Sequence, residues 1–263
     1  MEYISNEEAN QGGFIVPTIK VMSYNIQKGI GTDRVYRIER IADVIRESGA
    51  EVIGLQEVAV HWDEMTDYEH GIRQLAYELG MSFFFAPIYD LPSEKEGQMN
   101  RRQFGVGILS KYPIVQAENH PMTRLSTVTP DSEPAPMPGF AEALIDLKGV
   151  LLRVYSAHLD FRRDPSLRAL QVQEMLEVMS KHDCEKILFS DCNAKPDDTE
   201  LAQLYSHLYD TWFSVNQEPG HTFPADNPDR KIDYIFASRG IHTLNAAILP
   251  ALASDHRPIT AQW

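Results

Sequence analysis

Cysteine is scarce: Cys184 and Cys192 are the only two in 263 residues. Two cysteines cannot make a disulfide framework, and this spacing matches no zinc template, so both are expected as reduced thiols. Positive charge is also in short supply. Lys and Arg number 24 against 38 Asp and Glu, a formal net charge of −14. Such a chain repels a phosphate backbone at long range, which disfavours a nucleic-acid partner held by charge alone. The same acidity suits a protein that gathers carboxylates around a metal ion. Long apolar runs are missing. Stretches such as Ser82–Ile88 and Gly105–Leu109 fall far short of the ~20 residues needed to cross a bilayer. The first 17 residues carry Glu2, Glu7 and Glu8 and lack a basic start followed by an apolar stretch, so a cytoplasmic location is expected. No repeat of 20–50 residues is present.

Hydrophobic residues make up 43% of the chain and charged residues 24%. That composition excludes a disordered or fibrous chain and is enough to build a large core. One domain is expected over 18–263, behind a loose lead-in over 1–17.

Hydrophobic patterning gives a strand over Thr18–Ile26, a helix capped by Asp33 and stopped by Gly49, and a strand over Val52–Gln56. Strand, helix and strand in about 40 residues make a βαβ unit. Further strands are expected over Phe83–Pro87, Phe104–Ser110 and Ile114–Glu118. Four prolines between Thr129 and Gly139 predict an extended loop. Phe140–Leu147 and Val150–Leu159 read as a hairpin turning at Lys148-Gly149. A helix from Asp164-Pro165 to Ser180 precedes strand Lys186–Ser190. A helix over Thr199–Ser206 and strands over Ile232–Ser238, His242–Leu249 and Ile259–Trp263 complete the chain. Hairpins mixed with crossovers predict two sheets packed face to face with helices outside.

The polar residues stand at unusual places. Buried strands end in Asn25, in Glu57, in His158 with Asp160, and in Asp191 with Asn193. Asp233 opens a strand, and Asp255-His256 precedes the last one. Residues i and i+2 of an extended chain face the same way, so Asp191 and Asn193 project together, as do His158 and Asp160. Strand ends converging on one rim are where open sheets place their sites. Taken singly, each of these residues also fits a cap, a turn or a satisfied core position.

Taken in order, they carry a resemblance. The strings Ser23-Tyr24-Asn25-Ile26, Gly54-Leu55-Gln56-Glu57-Val58, Gly105-Val106-Gly107-Ile108-Leu109-Ser110, Ser156-Ala157-His158-Leu159-Asp160, Ser190-Asp191-Cys192-Asn193, Lys231-Ile232-Asp233-Tyr234-Ile235 and Ser254-Asp255-His256-Arg257-Pro258 resemble the endonuclease/exonuclease/phosphatase superfamily over nearly the whole chain. The resemblance implies an α/β four-layer sandwich, two packed mixed β-sheets flanked by helices. It implies hydrolysis of a phosphoester with magnesium, or manganese as a substitute. Carried over by position, Glu57 and Asp255 correspond to carboxylates of the metal site, and Asn25 to a residue of the metal site or one supporting its ligands. Asp191 corresponds to the residue that orients or deprotonates the attacking water, and Asn193 to the donor that holds the phosphate. His256, paired with Asp233, corresponds to the acid/base or phosphate-polarising histidine, and His158 to the second histidine.

The chemistry fits those roles. A phosphodiester is anionic, and a hard cation held by one or two carboxylates neutralises the charge its nucleophile must approach. Donors such as Asn193 and His158 stabilise charge on the non-bridging oxygens. A carboxylate at Asp233 fixes the tautomer of His256 and favours its protonated form. The expected activity is hydrolysis of a small or lipid-derived phosphodiester. A DNA endonuclease or exonuclease is the alternative, and an inactive phosphate-binding scaffold the remote one. Arg101, Arg102, Arg162 and Arg163 are either a phosphate-binding rim or solvated and acid-paired side chains.

Overall fold

The computed structural model describes residues 18–263 apart from 96 and 98. The expected lead-in over 1–17 lies outside the described residues. Twelve strands are found among them: β1 (Lys20–Asn25), β2 (Val52–Val60), β3 (Ser82–Leu91), β4 (Arg102–Ser110), β5 (Ile114–Arg124), β6 (Ala135–Leu147), β7 (Val150–His158), β8 (Lys186–Asp191), β9 (Tyr209–Asp210), β10 (Asp233–Ala237), β11 (Asn245–Ile248) and β12 (Ile259–Gln262). They form two six-stranded sheets, ordered β11-β12-β1-β2-β4-β3 and β5-β6-β7-β8-β10-β9. The helices are α1 (Ile38–Ser48), α2 (Gly71–Leu79), α3 (Ser166–Met179), α4 (Ala202–His207) and α5 (Thr211–Val215).

Each sheet is mixed. The β1–β2 pair is parallel and crosses over through α1, and the β7–β8 pair is parallel and crosses over through α3. Three apolar layers hold the four structural layers together. Val52, Ile108, Ala143, Val154, Phe189 and Ile235 pack between the sheets. Ile41, Ile45, Ile72 and Leu75 of α1 and α2 cover the first sheet. Val172, Met175, Met179 and Leu204 of α3 and α4 cover the second. The fold is the α/β four-layer sandwich that the sequence motifs imply. At Gly54 of β2 the sheets approach so closely that a Cβ would lie 2.2 Å from that of Phe189.

Local differences from the expected pattern have local causes. Asp33 does not cap α1. Its carboxylate accepts from the Val35 N–H and pairs with Arg40, and the helix begins at Ile38. The proline-rich stretch is loop only as far as Pro134, and β6 takes in Pro136 and Pro138. Those prolines lie where β6 runs past β7, whose pairing stops at Ala141–Ser156, so no ladder bond to β7 is lost. The second strand does not end at Glu57 but continues to Val60 through a bulge.

Candidate active site

Strands β1, β7 and β8 end at one rim, which β2 passes at its bulge, and the antiparallel strands β10 and β12 begin near it. Pairing places three side chains in a row on the second sheet: His158 is opposite Asp191, and Asp233 is opposite Asp191 on its other side. The first sheet supplies the facing wall. In β2, Leu55 pairs with Gly107 and Val58 with Gly105, so Gln56 and Glu57 share the place opposite Val106. Glu57 adopts a left-handed φ of 54°. A bulge of this kind re-aims a side chain beside a site. Gln56 stays between the sheets, donating to Ser156 Oγ at 3.3 Å, while Glu57 turns to Asn25.

Asn25, fully buried, is the hub. Its Nδ2 donates to Glu57 Oε1 at 3.2 Å and to Asp191 Oδ2 at 2.9 Å, and lies 3.5 Å from His256 Nε2. Its Oδ1 accepts the Gln27 backbone N–H at 3.0 Å. That bond fixes the amide: its nitrogen, not its oxygen, faces the acids. Asn25 therefore orders the carboxylates as a hydrogen-bonding neighbour.

His256 sits between two carboxylates. Nδ1 is 2.9 and 3.1 Å from the two oxygens of Asp233, and Nε2 is 3.8 Å from Asp191 Oδ2. Burial on its own lowers the His256 pKa, but the charges of Asp233 and Asp191 override it and hold it at about 10. Asp191, Asp233 and His256 bring ligand-type atoms within 4.8 Å of one another. The hydrogen bond of His256 Nδ1 to Asp233 and the 3.8 Å approach of Nε2 to Asp191 place the imidazole between two carboxylates, with Asp233 spent on Nδ1. Buried Lys231 donates to the Asp233 backbone oxygen at 2.8 Å and pairs with Asp210 at 3.3 Å, which anchors the start of β10.

Asn193, with a left-handed φ of 48°, follows β8 and gives its backbone N–H to Asp191 Oδ1 at 2.9 Å. Its Nδ2 donates to Leu159 O and lies 3.1 Å from His158 Nε2. His158 Nε2 is also 3.5 Å from Asp191 Oδ2. Asp255 lies at the edge of the cluster and accepts from Gln27 Nε2 at 2.9 Å. Burial pushes its carboxyl above the usual range, and the nearby Glu57 charge adds to the rise. Asp160, expected beside His158, turns away to Arg162, because the extended chain ends at His158.

The structure thus brings together Asn25, Glu57, His158, Asp191, Asn193, Asp233, Asp255 and His256. Of the arginines weighed as a rim, Arg101 pairs with Asp90, Arg102 with Glu94 and Arg162 with Asp160. The sequence reading missed Gln27, which holds Asp255, and Arg124, which donates to His158 O at 2.9 Å. Arg124 gave no signal because it ends a strand, β5, six residues longer than its pattern indicates.

A family model described as the Endonuclease/Exonuclease/phosphatase family matches residues 22–256. The chain belongs to this family. The three activities in its description all hydrolyse phosphate esters, and the convergent acids and histidines lie within the matched span. Solved structures share the fold. The endonuclease/exonuclease/phosphatase from Beutenbergia cavernae is 22% identical, with a TM-score of 0.75, over 93% of this chain and 71% of that one. A mannosyl-6-phosphatase from Bacteroides thetaiotaomicron is 17% identical, with a TM-score of 0.69, over 92% of this chain and 98% of that one. Truncated TDP2 from Caenorhabditis elegans is 15% identical, with a TM-score of 0.66, over 93% and 97%. No curated protein matches the chain in sequence. Among the described residues no helix is long and apolar enough to cross a membrane.

Proposed function

We propose that this family member is a divalent-metal-dependent phosphodiesterase acting on a small or lipid-derived diester. One observation carries the choice of a diester: a cleft adjoins the catalytic cluster on each of two sides. One, of about 350 Å³, reaches it at Asp255 and Gln27. The other, of about 200 Å³, reaches it at Glu57 and His158. A diester carries two alcohol groups and needs room for both. Among the described residues Arg101, Arg102 and Arg162 are each paired with an acid, which supports a small substrate over a nucleic acid.

The donor set fits a hard cation: Glu57 and Asp255 present carboxylate oxygens, and the nearby Glu57 charge adds to the burial that raises Asp255. These two residues would hold magnesium, or manganese in its place, with Asn25 orienting Glu57. When bound, such an ion supplies neutralisation of the phosphate charge. The chain's own groups do the rest. Asp191, held by Asn25 and the Asn193 N–H, positions the water and accepts its proton. The charges of Asp233 and Asp191 favour the protonated form of His256, whose Nε2–H would face the phosphate or the departing alkoxide. Asp233 keeps the proton-bearing ring in place. Asn193 Nδ2 and His158 Nε2, 3.1 Å apart, would give up their mutual contact for hydrogen bonds to the non-bridging oxygens.

A hydrolysis panel with magnesium or manganese tests this reading. It should hold bis-p-nitrophenyl phosphate, p-nitrophenyl phosphate, sphingomyelin, phosphatidylinositol, plasmid DNA and an abasic oligonucleotide. Turnover of a non-nucleic diester above that of the monoester and of DNA is expected. Efficient plasmid nicking, lost in His256→Ala, would instead establish a nuclease.

A further inference from the structure

The cleft beside Glu57 and His158 has walls of Tyr89, Phe104, Leu125 and Phe161. An apolar cavity of about 150 Å³ holds benzene. About 200 Å³ therefore takes one six-membered ring with a small substituent. Arg124 also lines this cleft, and it is unlike the other arginines around it. It is 8% exposed. Nη1 donates to His158 O at 2.9 Å and Nη2 to Gly139 O at 3.0 Å. Its Nε is buried with no hydrogen-bond partner among the described residues. The nearby acids are engaged elsewhere: Asp160 pairs with Arg162, and Glu174 accepts from Thr123. Arg168, by contrast, has Glu200 at 2.6 Å. Burial lowers the Arg124 pKa to about 10, which leaves it charged at neutral pH. Arg124 lines the cleft, spends one N–H of each Nη on a backbone carbonyl and has no carboxylate in ion-pair range among the described residues, so an anionic ligand oxygen would supply the partner it lacks.

We propose that this cleft is the subsite for one alcohol of the ester, and that Arg124 selects an alcohol bearing an anionic oxygen, a carboxylate or a second phosphate, on a compact ring or short chain. The placement of that alcohol rests on the phosphodiesterase reading, which puts the scissile phosphate at the cluster that this cleft reaches at Glu57 and His158. A charge-assisted hydrogen bond in a desolvated cleft gives a preference of at least about tenfold over a neutral isostere.

The test uses three methyl aryl phosphates whose rings carry a 4-carboxylate, a 4-phosphonate or a 4-carboxamide. The methyl group is too small to fill the cleft, so the aryl group enters it. The wild type should favour one of the anionic esters over the amide by at least tenfold in kcat/KM, and which anion wins identifies its source. In Arg124→Met that ratio should fall to about 1, and Arg124→Lys should restore part of it. Phe161, exposed at the cleft wall, gives a variant that does not strain the core. Phe161→Ala should raise KM for all three esters alike. Calorimetry with 4-hydroxybenzoate and 4-hydroxybenzamide reads the subsite without turnover, and the wild type should bind the carboxylate at least tenfold tighter. Diester cleavage with no anion preference would overturn the subsite and leave the phosphodiesterase reading standing. Selective 4-hydroxybenzoate binding with no cleavage of any diester would do the reverse.

Discussion

Replacing Asp233 with Asn keeps the size of the side chain and removes its charge from the 2.9 Å contact with His256 Nδ1. In the folded protein the His256 pKa is raised from 6.5 to about 10, which corresponds to ~5 kcal/mol in favour of the imidazolium. Asp233 contributes more of that rise than Asp191. Without it, burial favours the neutral ring, and the donor facing the phosphate is lost or misoriented. Removing a positioned acid costs about 10²- to 10⁴-fold in kcat, roughly 2.7–5.5 kcal/mol. KM should change far less, because the pair acts on charge that develops in the transition state. His256→Ala should be at least as severe, and the double variant no worse than the worse single. Stability gives a second readout with a definite sign. A histidine whose folded pKa is raised contributes stability fully below the unfolded pKa of about 6.5, and loses that contribution as pH rises through about 10. In metal-free protein with EDTA, Asp233→Asn should therefore be most destabilising below pH 6.5 and nearly neutral above pH 10. The assays are kcat on one chromogenic diester and urea unfolding across that range. Kcat losses that multiply in the double variant, or a stability deficit that grows with pH, would refute the coupled pair.

Glu57→Gln should lower kcat by at least about a hundredfold and weaken magnesium binding in calorimetry, and magnesium should raise Tm less than in the wild type. Unchanged magnesium affinity would remove Glu57 from the metal site. His70, packed near His61 and Phe83, has its pKa lowered to about 4 by burial and by Arg73. Its depressed value means that stability falls as pH drops from about 6.5 towards 4, and His70→Phe should flatten that arm of a Tm-versus-pH curve. Gly54→Ala should cost at least about 2 kcal/mol in urea unfolding, because its new methyl group meets the Phe189 side chain between the sheets. Binding to duplex DNA should be weak at ~150 mM salt in a fluorescence-anisotropy titration.

The fold was legible where one physical signal dominated. The apolar face of α1, Ile38, Ile41, Ala42 and Ile45, repeats at helical spacing and is buried as a unit. The Lys148-Gly149 turn carries left-handed φ values of 58° and 100°, the geometry that a two-residue hairpin demands. Legibility failed where long-range pairing decided. Pro136 and Pro138 read as breakers, and only the absence of a β7 neighbour lets a strand run through them. The bulge at Glu57 has no composition signal, since the register against Gly105 and Gly107 creates it. In the site, the acids and histidines announced themselves by standing at strand ends. Their partners did not. Asn25 reads only as a residue at or behind the metal site, and the Gln27 N–H shows which end of its amide faces inward. Arg124 becomes noticeable only when the fold buries it with its Nε unpartnered among the described residues.

The most direct measurement is the turnover of bis-p-nitrophenyl phosphate and p-nitrophenyl phosphate, side by side, by the wild type and by Asp191→Asn in saturating magnesium. Asp191 joins both sheets through Asn25 and faces both histidines, so every proposed step depends on it. The diester should be cleaved faster than the monoester, and Asp191→Asn should lose at least about a hundredfold in kcat while keeping its fold. A faster monoester, or an Asp191→Asn variant as active as the wild type, would contradict the assignment of this rim as a phosphodiesterase centre.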